Sequence, residues 1–123
     1  MMKFEYQGQT YKLYFSHPTR FVTDLESRGV KFSRNIPCNS TRRCTECSFQ
    51  ITEGLPPKIG ISVCYLKDNF CKSTGRRKAM ARLLRRLANE VAVHSYATTD
   101  VPFASKSFRK AAWEAYFEQH PLV

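Results

Sequence analysis

The stretch KSTGRRKAMARLLRRLANEV, residues 72–91, constrains the fold more than any other. At about 100° per residue, Met80, Leu83, Leu84, Leu87 and Val91 fall in one apolar stripe, at i, i+3, i+4, i+7 and i+11. Such a stripe predicts a helix that another layer must cover. The polar side carries one sign: Lys78, Arg82, Arg85 and Arg86 lie opposite the stripe, and no acid appears before Glu90. Ser73 or Thr74 reads as the N-cap. Arg76, Arg77 and Lys78 then fall in the first turn, where the helix dipole already places partial positive charge and disfavours each added cation by roughly 0.3–1 kcal/mol.

The covering layer is legible as alternating strands. In KFEYQGQTYKLYF (3–15), Phe4 and Tyr6 alternate on one arm, and Tyr11, Leu13 and Phe15 on the other. Gln7-Gly8-Gln9 supplies the turn. In TECSFQI (45–51), Thr45, Cys47, Phe49 and Ile51 share a face, and in KIGISVCYL (58–66) Ile59, Ile61, Val63 and Tyr65 do. These two read as a second antiparallel pair. TRFVTDLESRG predicts a short helix with Phe21, Val22 and Leu25 inward and Gly29 as its stop, and residues 33–43 read as an exposed loop. A final helix begins near Ser105 and buries Phe108, Ala112, Ala115 and Tyr116, with Trp113 and Phe117 to one side. The expected architecture is a single α+β domain over residues 1–123: an antiparallel sheet of about four strands with two main helices on one face.

Twenty Lys+Arg against ten Asp+Glu leave the chain at +10, which points to an anionic partner. A phosphate would relieve the crowded cations of the helix. It would accept from first-turn amides around Ser73, Thr74 and Gly75 and from Arg76 or Arg77, while Lys78, Arg82, Arg85 and Arg86 follow further phosphates. Arg42 and Arg43 are outlying candidates. The competing account is a solvated face neutralised by Glu46, Glu53 or Asp68. An acidic protein would exploit the same arginines. The aromatic hairpin offers Tyr14, opposite Leu13 and Phe15, either as a surface tyrosine or as a stacking platform for single-stranded bases.

Residues 45–84 resemble a strand–turn–strand–helix pattern of small bacteriophage and prophage proteins: a strand ending in C-x-P-K-D-x-F, a K-x-x-G-R-K turn, then an A-L-x-R-A-L helix. The matching residues are Cys64, Lys67, Asp68, Phe70, Lys72, Gly75, Arg76, Lys78 (shifted by one), Ala79 and Arg82. Leu66 stands in place of the proline and Met80 in place of a leucine. The resemblance implies a phage origin, work in the cytoplasm of an infected bacterium, and a role in host takeover or anti-defence. Within that class a basic chain either grips nucleic acid or docks on a host protein as an inhibitor, in the manner of an anti-CRISPR or similar factor.

Chemistry is sparsely marked. Cys44-x2-Cys47 has the spacing of two zinc ligands and Cys38 could be a third, but a second C-x2-C is absent and strand alternation turns Cys47 inward. Five cysteines without an apolar leader fit a reducing compartment. No apolar run nears the ~20 residues of a membrane span. His17, His94 and His120 stand beside no nucleophile motif, and no phosphate-binding loop or dinucleotide fingerprint occurs. A small metal-dependent nuclease is the weakest reading. The expected protein is a non-enzymatic binder with no cofactor, no metal and no membrane partner.

Overall fold

The computed structural model describes residues 1–32, 36–37, 39–49, 58–64, 71–94 and 105–120, without the side chains of 90–94. Strand β1 (Met2–Tyr6) turns through Gln7 and Gly8, both at positive φ (50° and 79°), into β2 (Gln9–Ser16). Two consecutive positive-φ residues match the right-handed twist of the strands they join. The register pairs Met2 with Leu13 and Phe4 with Tyr11, so the expected aromatic alternation falls on one face.

β3 (Thr19–Phe21) and helix α1 (Val22–Ser27) follow, then β4 (Thr41–Phe49) and β5 (Lys58–Val63). β4 is the hub. Its first third pairs with β3, its later part pairs with β2 along one side, and β5 runs antiparallel to it along Cys44–Phe49. Among the described residues the sheet thus has five strands, all antiparallel. Residues 41–43, expected in a loop, are strand because Thr19–Phe21 hydrogen-bonds to them. α1 is shorter than expected for the same reason. Val22 and Leu25 are buried, but Phe21 ends β3 and is exposed. Gly29 N–H reaches Glu26 O and Val30 N–H reaches Leu25 O, closing α1 at the expected glycine.

α2 (Lys72–His94) lies over β4 and β5, and α3 (Lys106–Gln119) lies over β1. Both bury their stripes in one core: Ala79, Met80, Leu83, Leu84 and Leu87 from α2, and Phe108, Ala112 and Tyr116 from α3, against Met2, Phe4, Leu13, Cys47 and Phe49. The expected two helices on one face of an antiparallel sheet are therefore present. Ser105 caps α3, its Oγ accepting from Phe108 N–H at 3.1 Å. On the other face, the alternation of β4 turns Cys44 and Glu46 toward α1, where Val22 and Leu25 are buried apart from the main core.

The face of β5 that turns to α2 is the one without the shared isoleucines and valine. Gly60 and Ser62 face α2, while Ile59, Ile61 and Val63 are half-buried on the far side, and Tyr65 and Ile51 lie outside the described residues. The cause is close approach. A Cβ on Gly60 would press on Ala79 O and come within 2.5 Å of Leu83 N and 2.9 Å of Leu83 Cα. A Cβ on Gly75 would press on the Thr45 hydroxyl. Gly60→Ala is expected to destabilise by roughly 1–3 kcal/mol in urea unfolding, since helix backbone must shift to admit one methyl. Gly75→Ala should cost less, because it meets a side chain and gains up to about 1 kcal/mol of helix propensity. Equal losses would show that the helix does not rest on Gly60.

Candidate nucleic-acid interface

α2 begins two residues earlier than Ser73 as N-cap would require, and three earlier than Thr74 would. Gly75 N–H donates to Cys71 O at 2.9 Å, so Cys71 occupies the cap position and residues 72–75 are the first turn. The Thr74 hydroxyl donates to Cys71 Sγ at 3.4 Å. That bond, with backbone donation from Thr74 and Ser73 and the charge of Arg77, holds the Cys71 thiol below its ordinary pKa. Arg76, Arg77 and Lys78 consequently lie in the second turn, and Lys72 is the cation that meets the positive end of the dipole. Gly75 is not open backbone for an anion, because it is pressed onto Thr45.

Arg76 sits at the centre of a cluster drawn from four elements. Its Nε donates to the Tyr116 hydroxyl at 3.4 Å. Tyr116 stacks on His120 with ring centroids 4.8 Å apart and an interplanar angle of 19°, and Phe15 meets both rings edge-on. On the other side, His17 Nδ1 is 2.9 Å from the buried Thr45 hydroxyl, and Arg43 Nε donates to His17 O at 3.2 Å. Burial lowers the pKa of His17, and the charges of Lys72, Arg76 and Arg43 lower it further. Burial likewise lowers that of His120, followed by Arg76. Two imidazoles thus flank one guanidinium, and burial first, then the nearby cations, disfavours their protonation. His120 Nδ1 and Arg77 Nε are buried with no hydrogen-bond partner.

The outer part of α2 has two kinds of cation. Arg82 Nη1 donates to Ile61 O at 2.6 Å and Arg86 Nη1 to Ile59 O at 3.2 Å. Among the described strands β5 pairs only with β4, so these arginines cover main-chain carbonyls of an edge strand. Lys78 and Arg85 are exposed and have no such tether among the described residues. Of the acids proposed as neutralisers, Glu46 lies on the opposite face and is taken by Arg20, in a two-pronged contact of 2.7 and 3.1 Å, and by Arg28 at 3.5 Å. Glu53 and Asp68 lie outside the described residues. Among the described residues Arg76, Arg77, Lys78, Arg82 and Arg85 form no ion pair. Arg42 bonds to Thr41 O and stands apart from the cluster that Arg43 joins.

The cysteine spacing does not assemble a metal centre. Cys44 and Cys47 are three apart in a strand and turn to opposite faces, Cys44 Sγ toward Pro18 O at 3.3 Å and Cys47 into the main core. Burial pushes the Cys47 thiol up to about 12. Cys38 lies outside the described residues, and among those described no group of three metal-ligating side chains occurs. Tyr14 is half-exposed on the face away from α2 and α3, so the hairpin offers no stacking surface beside the basic helix. No described helix is long and apolar enough to cross a membrane. No family model, curated protein or solved structure matches the chain.

The histidines give the fold a pH signature. Both pKa values are depressed, so the unfolded chain binds more protons than the native one just below the ordinary histidine pKa of about 6.5. Their stabilising contribution is complete above that pH and is lost as the pH falls toward the folded-state values. Urea midpoints measured from pH 7.5 to 5 should decline, and the double variant His17→Gln/His120→Gln should decline less steeply over that interval. Parallel curves would mean the imidazoles are not held neutral.

Proposed function

We propose that this chain is a small basic phage protein that binds nucleic acid, non-enzymatically, along α2. The observation that carries this reading is the set of cations Arg76, Arg77, Lys78, Arg82 and Arg85, which have no acidic partner among the described residues while Glu46 is committed to the far face. Holding like charges together on one helix lowers stability, and a polyanion reverses that cost. The contacts are to phosphate, so little base-edge readout follows from α2 itself. The resemblance of residues 45–84 to phage and prophage proteins supports a role in host takeover or anti-defence inside an infected bacterium.

Four to six phosphate contacts should give a log–log dependence of affinity on salt with a slope of roughly −3 to −5. Lys78→Gln and Arg85→Gln are the informative changes, because neither side chain is tied to β5. Each should flatten the slope by about one unit and leave the unfolding midpoint unchanged or slightly higher. Changing Arg82 or Arg86 would also uncover the β5 edge and mix two effects. A protein with no affinity for DNA or RNA at low salt would exclude this reading, leaving an inhibitor that docks its basic face on an acidic host protein.

A further inference from the structure

The α3 flank beside Arg76 carries aromatic surface that the core does not use. Phe108, Ala112 and Tyr116 face the sheet. Trp113, the chain's single tryptophan, sits beside that stripe and is half-buried, and Phe117 one turn on is 42% exposed. Their rings stack on each other, with centroids 5.9 Å apart and planes at 26°. Both meet Tyr116 edge-on, at 5.7 and 5.4 Å, and the hydroxyl of that tyrosine receives the Arg76 hydrogen bond. Lys106 and Lys110 share the flank, at i, i+4, i+7 and i+11 with Trp113 and Phe117. On α2, Ala79 and Leu83 touch β5, and Arg77 lies on the opposite flank, the one turned toward α3. A paired aromatic surface with solvent on one side therefore adjoins Arg76 and Arg77.

We propose that the cleft between α2 and α3 binds single-stranded nucleic acid, with a base stacked on the Trp113–Phe117 pair and the neighbouring phosphates on Arg76 and Arg77. The proposal rests on the reading of α2 as a nucleic-acid-binding helix and specifies which nucleic acid it takes. Unpaired strands present a base face to a flat aromatic ring, whereas the faces in a duplex are already stacked on each other. Among the described residues Arg77 makes no ion pair, and its buried Nε has no hydrogen-bond partner. Arg76 is held at this junction of α2 and α3 by its hydrogen bond to Tyr116, which is itself fully buried.

The single tryptophan makes the test direct. Oligo-dT of about a dozen nucleotides should quench Trp113 emission as it binds at low salt, and a duplex of equal length should bind more weakly with little quenching. Inorganic polyphosphate, which has charge but no bases, should bind without quenching. Phe117→Ala and Phe117→Leu should each weaken oligo-dT binding by roughly 5- to 100-fold without changing the salt slope, since no charge is removed. Leucine keeps the packing on Trp113 and loses the aromatic face. Salt-dependent binding of oligo-dT without quenching, or leucine and wild type with equal affinity, would overturn the cleft and leave the phosphate-binding helix standing. No binding of any nucleic acid at low salt would remove the underlying reading as well.

Discussion

Helix α2 rests directly on the sheet through two glycines, and much of the molecule is arranged around that contact. Gly60 lets the helix backbone settle onto β5 at Ala79 and Leu83, and Gly75 lets its first turn settle onto Thr45 of β4. Two contacts on adjacent strands leave the helix little freedom to roll or slide. Its leucines then meet Cys47, Phe49 and the hairpin side chains, and its start is carried to His17 and Arg43 at the sheet's far end. The convergence of cations about Arg76 follows from how close the helix lies.

Charge is separated between the two faces of the sheet. Glu46 is nearly buried on the α1 side and gathers Arg20 and Arg28, with Asp24 completing the group. Breaking such an enclosed cluster would strand a carboxylate, so Glu46 is not available to the other face. On the helix side α2 carries its arginines, next to histidines whose pKa values are lowered first by burial and then by neighbouring cations.

The helix stripes and the hairpin were legible because period 3.6 and period 2 each recur several times in a short span. The phase of β5 was not. Ile59, Ile61 and Val63 look inward by apolarity, yet the face chosen is the one on which Gly60 lets a helix come close. Alternation shows which residues share a face and is silent on which face a helix will take. The start of α2 differs from the expected one for a related reason: Cys71 is a poor cap by type, yet its sulfur accepts from the backbone of Ser73 and Thr74. The importance of Arg76 over its neighbours could not be read at all, since Tyr116 and His120 reach it from the end of the chain. Trp113 and Phe117 carried a faint signal, being aromatic and off the buried stripe.

Arg82 and Arg86 have each one fork of the guanidinium tied to a β5 carbonyl. Immobilising a long side chain on association typically costs about 0.5–1.5 kcal/mol. For these two, part of that ordering is already complete in the fold. Lys78 and Arg85 lack such ties and must be ordered on contact. The outer surface of α2 thus combines a pre-set pair of arginines with two adaptable cations, so that one helix face is half rigid and half pliable.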